Sequence, residues 1–359
     1  MTNNDHKLSP RKRRLPGQRL VWLLMGLLVA LLLVPVSGYL LSDTVAAQSD
    51  AATKGNERAS LWREVRRGAT GYTAVSGPET NVLVQNGGQN WRSFKDGPLR
   101  IYSAWLMAGV LLVAGLLHMI NGPQRLKNGF SGQMIERWTR FERIMHWYVA
   151  ILFIILAVTG ASLLYGRSAL IPVFGKDGFA AYAEVAKALH NYLGPFFAVG
   201  MILMGVRWFR DNLPIKADWE WAKTAGGMWG EGHPPAGKAN AGEKLMYWQF
   251  VVTGLALVGT GFVLDFPTFG QTREVMQWSH VIHAVAAIIA IVTAFGHMYM
   301  ALIGVEGALE GMVNGRVDIN WAEQHHDLWY HELLGKGIKP EPSETRRITP
   351  DSQPAARST

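Results

Sequence analysis

The sequence predicts an all-α integral membrane protein, and three observations carry that prediction. Of its 359 residues, 49% are hydrophobic, and they gather in six separate apolar runs of about twenty residues, the length a helix needs to cross a bilayer. The basic residues behind a formal net charge of +8 lie in short loops between those runs, which fits membrane orientation rather than nucleic-acid binding. Few ionisable side chains fall inside the runs, and the recurrent ones are histidines, whose neutral form costs less to bury than a carboxylate or an ammonium.

The elements follow in order. Run 21–41 comes after RKRRLPGQRL and ends in LLSDTVAAQSD, with Val45 and Ala47 at positions −3 and −1 of a cleavage site. Residues 1–47 therefore read as a signal peptide or an uncleaved signal anchor. Residues 48–98 form a polar outer (periplasmic) segment, and run 101–120 predicts an additional transmembrane helix over 99–121. Runs 147–165, 189–209, 246–264 and 281–303 predict four more helices, within a core of 122–332. Pro195 inside one run is tolerable where neighbouring helices satisfy the freed backbone groups. Residues 333–359, with KPEPSETRRITPDSQPAARST from Lys339, have the composition of a disordered tail. No internal repeat and no soluble-type domain is expected.

Positive-residue counts set the orientation. Loop 121–145 carries Arg125, Lys127, Arg137, Arg140 and Arg143; loop 207–245 carries Arg207, Arg210, Lys216, Lys223, Lys238 and Lys244. Segment 265–279 has only Arg273. The two rich loops and the C-terminus are then cytoplasmic by the positive-inside rule. Segment 42–100 has eight basic residues yet falls outside, at a length where the rule weakens. Trp105, Trp138, Trp147, Trp208, Trp248 and Trp278 stand at run ends, as an interfacial aromatic belt would place them.

His283 and His297 lie fourteen residues apart in the last run. At about 100° per residue they share a helix face to within about 40°, with a rise of about 21 Å between them. Two imidazoles on one face, one near each membrane surface, suit two stacked haem irons. Depth then pairs His190 with His283 on the outer side and His146 with His297 on the inner side, each pair joining two helices. With zero cysteines, iron–sulfur clusters, thiolate metal sites and covalently attached haem are excluded, so any haem is b-type. A lone histidine at a helix end is more often an interfacial polar residue than a ligand, which is the expectation for His118 and His280. His325, His326 and His331 fall outside the membrane and are expected to be solvated.

KANAGEKLMYW, residues 238–248, is a second candidate site. Taken alone it is an ordinary helix start with Asn240 as N-cap. Its position on the cytoplasmic side, level with the inner histidines, also suits a quinone carbonyl that needs a hydrogen-bond donor and a proton supply. Asn240, Gly242 and Glu243 are the residues concerned.

RWTRFERIMHW, KALHNYLGPFFAVG, ANAGEKLMYWQFVVTGLALVGTG, HVIHAVAAIIAIVTAFGHMYMA and WAEQHHDLWYHE fall in that order between residues 137 and 332. They resemble successive parts of the gamma subunit, the membrane cytochrome b subunit, of bacterial respiratory formate dehydrogenase. The histidine contexts also occur in cytochromes b of nickel–iron hydrogenases and thiosulfate reductases; the NAGEKLMYW and WAEQHHDLWY strings are closer to the formate branch. The N-terminal 120 residues resemble a longer form of the family with an extra helix.

The resemblance implies a four-helix di-haem cytochrome b bundle in the bacterial inner membrane, with the C-terminus cytoplasmic. It implies two haem b groups, the outer on His190 and His283 and the inner on His146 and His297. It places a quinone (ubiquinone or menaquinone) at Asn240 and Gly242, next to His297, with Glu243 standing where some members have glutamine. The implied partners are an iron–sulfur beta subunit and, through it, a molybdenum or tungsten formate dehydrogenase alpha subunit. The chain itself has no cysteine and no residues for formate chemistry, so it is expected to carry electrons rather than oxidise formate. A hydrogenase or other periplasmic dehydrogenase subunit, a stand-alone haem protein and a transporter with structural histidines are the alternatives.

Overall fold

The computed structural model describes residues 86–224 and 234–343. The expected signal segment 1–47 and most of segment 48–98 lie outside the described residues. Among the described residues, five helices are long and apolar enough to cross a membrane: Asn90–Asn121, Arg140–Ala169, Ile171–Trp208, Ala241–Asp265 and Arg273–Gly304. The chain is a multi-span helical membrane protein with a small sheet at one end.

The first span joins α1 (Asn86–Phe94) through a wide turn at Lys95–Leu99, which contains Pro98, to α2 (Arg100–Asn121). After strand β1 (Gln133–Glu136) comes α3 (Arg140–Ala169). Its start is set by Thr139, whose side chain accepts from the Glu142 N–H while the Glu142 carboxylate accepts from the Thr139 N–H, a reciprocal satisfaction of two orphan donors. Helix α4 (Ile171–Trp208) is bent near its start, where Gly175 has φ 70°. That left-handed value strains any residue with a Cβ. The short helix α5 (Lys216–Lys223) precedes α6 (Ala241–Asp265), which opens on a second capping box made by Asn240 and Glu243. Thr272 caps α7 (Arg273–Tyr299), which runs on into a wide turn at Met300–Gly304.

Helix α3 packs on α4, α6 on α7, α4 on α6, and α2 lies outside against α7. The close approach of α3 and α4 uses Gly200, where a Cβ would stand 2.7 Å from the Tyr148 ring and 2.8 Å from Val149. One apolar cluster joins Ala104 and Met107 of α2 to Ala161 and Tyr165 of α3 and to Ile291 and Phe295 of α7. A hydroxyl contact between Ser103 and Tyr165 fastens α2 there. The outward faces are apolar, with Leu112, Met119, Val206 and Leu245 exposed, as lipid-facing positions are.

One end of the bundle carries a compact layer that sequence patterning did not anticipate. It comprises α8 (Ala308–Asn314), β2 (Arg316–Asp318), α9 (Ile319–His325), α10 (Asp327–Gly335) and β3 (Glu341–Pro342). The strands form an antiparallel sheet in the order β2-β1-β3. Its core is Leu126, Ile135, Val317, Trp321, Ala322, Trp329 and Tyr330. Regular structure therefore runs past residue 333, where the tail was expected to begin. Gly315 enters this layer at φ 84°, and a Cβ there would stand 2.7 Å from the Trp138 carbonyl oxygen.

Of the tryptophans expected in an interfacial belt, Trp105 and Trp278 are exposed. Trp147, Trp208 and Trp248 turn inward, donating their indole N–H to the Met312 carbonyl, the Glu142 carboxylate and the Asn212 carbonyl.

Candidate functional site

The four histidines singled out in the sequence come together as two pairs. His190 of α4 faces His283 of α7 with ring centres 6.1 Å apart and planes at 67°. His146 of α3 faces His297 of α7 with ring centres 6.1 Å apart and planes at 63°. Neither pair is made of sequence neighbours, so each is a product of helix packing. Two metal–imidazole bonds of about 2 Å each put opposed ring centres about 6 Å apart, so both pairs have the spacing of a bis-imidazole haem. His146 Nδ1 is buried with no hydrogen-bond partner among the described residues. Among the described residues no group of three or more acidic or histidine side chains stands ready for a bare metal ion, whereas a porphyrin needs only two axial ligands from the protein.

The His190–His283 pair is hydrogen-bonded to neighbouring helices. Thr159 Oγ1 of α3 lies 2.9 Å from His190 Nδ1, and Thr260 Oγ1 of α6 lies 2.9 Å from His283 Nδ1. Each threonine is followed by a glycine whose open side faces the same ring: Gly160 toward His190 and Gly261 toward His283. These residues escaped sequence reading. Their signal was a short echo, Leu156-Ala157-Val158-Thr159-Gly160 and Leu257-Val258-Gly259-Thr260-Gly261, below the size at which internal repeats stand out.

Among the described residues, His118 and His280 have no histidine at that spacing. His118 meets Tyr299 edge-on at 6.0 Å, and His280 lies 5.4 Å from Trp91.

At the start of α6, Asn240 Oδ1 accepts from the Glu243 N–H at 2.9 Å, and Glu243 Oε2 accepts from the Asn240 N–H at 2.9 Å. Glu243 Oε1 accepts from the Arg137 guanidinium at 3.0 Å. Both carboxylate oxygens are thus engaged in holding the helix start. Gly242 sits beneath Trp221 of α5, where a Cβ would stand 2.7 Å from the indole. Helix α5 is pinned there by an ion pair, at 2.8 Å, between Asp218 and Lys244, whose side chains are largely buried.

His326 corrects an expectation. It was placed among solvated histidines, yet it is 1% exposed, within the layer at the end of the bundle. The Arg137 guanidinium, which can only donate, lies 3.0 Å from His326 Nε2. His326 Nδ1 lies 2.8 Å from the Gly237 carbonyl oxygen, which can only accept. Nδ1 therefore carries the hydrogen and the ring is neutral. Burial and the neighbouring Arg137 cation push this histidine down to about 3. Its 3.8 Å approach to Glu243 is accordingly not an ion pair. Arg137 also stacks at 4.8 Å on Trp321 and 5.2 Å on Trp138, so His326 and two indoles aim the guanidinium at Glu243. His331 is exposed, as expected, and His325 is half-buried.

A second buried carboxylate closes the same end. Glu142, 1% exposed in its side chain, takes Arg207 at 3.0 Å and the Trp208 indole at 3.1 Å, with Lys238 at 3.8 Å.

Five spans and histidines paired across helices describe a membrane protein of the b-type cytochrome class, and the family model described as prokaryotic cytochrome b561 matches residues 137–315. The chain is 34% identical over 220 residues to the cytochrome b556(Fdn) subunit of the nitrate-inducible formate dehydrogenase of Escherichia coli K12, covering 60% of this chain and 98% of that relative. It is 31% identical over 203 residues to the cytochrome b556(fdo) subunit of the same organism, covering 55% of this chain and 93% of that relative. A formate dehydrogenase cytochrome b556 subunit of Haemophilus influenzae is 29% identical over 196 residues, 53% of this chain and 79% of that relative. The chain belongs to the family of formate dehydrogenase cytochrome b subunits, as the gamma-type membrane electron-transfer component.

Proposed function

We propose that this chain anchors a formate dehydrogenase in the bacterial inner membrane and carries electrons across it to quinone through two b haems. The observation that carries this is the pair of histidine pairs, each at 6.1 Å between ring centres, separated along α7 by fourteen residues, a rise of about 21 Å. His190 and His283 would hold the outer haem, and His146 and His297 the inner one. When bound, the haems supply one-electron carriage between a donor on the outer face and a two-electron acceptor on the inner face. The protein's share is ligation, spacing and a dry surround that tunes potential.

The partners that fit are an iron–sulfur beta subunit on the outer face and, through it, the molybdenum or tungsten alpha subunit that oxidises formate. The basic loops argue for a cytoplasmic C-terminus, which puts the layer holding His326 on the cytoplasmic side. Quinone would be reduced beside Asn240 and Gly242, close to the inner pair. Glu243 there serves first as a cap and as the partner of Arg137. Negative charge moving inward, with protons released outside and taken up inside, builds membrane potential.

Haem content tests this directly. The purified complex should hold two haems per copy of this chain, and His283→Ala and His297→Ala should each hold one. Two haems retained in either variant would overturn the pairing.

A further inference from the structure

We infer that Thr159 and Thr260 are positioning residues that seat the two outer imidazoles and lower the potential of the haem they hold. The inference rests on the outer pair being a haem site. Each threonine stands on the helix adjacent to the one that carries the histidine: α3 beside α4, and α6 beside α7. Thr159 Oγ1 lies 2.8 Å from the Ile155 carbonyl oxygen and 2.9 Å from His190 Nδ1. Thr260 Oγ1 contacts the Ala256 carbonyl oxygen and lies 2.9 Å from His283 Nδ1. A hydroxyl has one hydrogen and two lone pairs. With the hydrogen given to the carbonyl four residues back, a lone pair is left to accept from Nδ1–H. Both rings are then fixed as the Nδ1–H tautomer, leaving Nε2 as the only nitrogen free to ligate.

The neighbouring glycines complete each seat. A Cβ on Gly160 would stand 3.2 Å from His190 Cε1, and one on Gly261 would stand 3.5 Å from His283 Cε1. The ring edge therefore lies directly on the adjacent helix backbone, with its rotation set by the hydroxyl. The same arrangement occurs twice, once in each helix pair, and the inner site departs from it: His146 Nδ1 is buried with no hydrogen-bond partner among the described residues. A hydrogen bond from the far nitrogen of a ligating imidazole raises its basicity. A more basic ligand favours ferric over ferrous iron and lowers the potential.

The test uses Thr159→Val and Thr260→Val, with Thr→Ser at each position, in the whole complex. Potentials are read by redox titration of the visible spectrum and ring orientation by the low-spin ferric electron paramagnetic resonance signal. Each Val variant should keep two haems while one component moves to higher potential, a tenfold change in ferric-to-ferrous preference being about 59 mV for one electron. The resonance of that component should change, the other haem should not, and Ser should restore both readings. Loss of one haem in Val that Ser recovers would support the same role. Val variants with two haems, unmoved potentials and unmoved resonances would overturn it, as would equal damage in Val and Ser. A parent complex without haem would instead overturn the haem reading itself.

Discussion

Replacing Glu142 by Gln keeps the shape of the side chain and removes only its charge and half of its accepting capacity. One carboxylate oxygen takes the Thr139 N–H at 2.9 Å and its hydroxyl at 2.8 Å. The other takes Arg207, the Trp208 indole and Lys238. A glutamine can turn its oxygen to one group or the other, so its amide N–H₂ must face donors on the remaining side. Leaving a buried donor unsatisfied costs about 1–3 kcal/mol. The ionic part adds little, because the Arg207 side chain is 43% exposed and exposed ion pairs are worth about 0–1 kcal/mol. The combined loss is about 1–4 kcal/mol. It falls at the start of α3, four residues before His146, and at the end of α4. Heating the detergent-solubilised complex while following each haem band should show the inner haem lost first, with its transition lowered by about 1–5 °C. Unchanged transitions, or simultaneous loss of both haems at the parental temperature, would refute the reasoning.

Other substitutions separate the remaining contacts. Asn240→Ala removes an N-cap, worth about 0.5–2 kcal/mol, and should slow quinone reduction while both haems remain reducible by formate; unchanged turnover would exclude the pocket. Gly242→Val drives a branched side chain into the Trp221 indole, only 2.7 Å from a Cβ, and should raise the apparent KM for quinone with haem content intact. Tyr165→Phe removes the hydroxyl that meets Ser103 and should loosen α2 by about 0.5–1.5 kcal/mol, read as faster proteolysis of the 121–132 loop with unchanged haem spectra. His326 supplies a pH dependence. Its value of about 3 in the folded chain lies below its ordinary 6.5, so the unfolded chain binds the extra proton between those limits. Stability from this residue is complete above pH 6.5 and falls as the pH drops below it, at up to about 1.4 kcal/mol per unit. His326→Gln should flatten that fall between pH 6.5 and 5, and an equal slope in both proteins would contradict the buried neutral state.

The spans were legible because membrane burial writes itself into long apolar runs, and the run limits fall within or close to helices α2, α3, α4, α6 and α7. The histidines were legible because an imidazole inside a membrane is a costly polar group in an apolar context. What was hidden depended on packing between segments distant in sequence. Strand β1 pairs with β2 and β3 about two hundred residues later, and strands this short carry no period to detect. His326 looked solvated because WAEQHHDLWYHE is polar in composition, whereas Trp321 and Trp329 bury it from both sides. The Thr–Gly seats were hidden because threonine and glycine are ordinary in membrane helices until the adjacent imidazole is known.

The most direct test of the electron path is a formate-reduced minus oxidised visible spectrum of membranes carrying the assembled complex, set against dithionite reduction of the same sample. The account predicts that formate reduces the full b-type signal seen with dithionite. A b-type signal that dithionite reduces and formate does not would contradict it, as would the absence of any b-type signal.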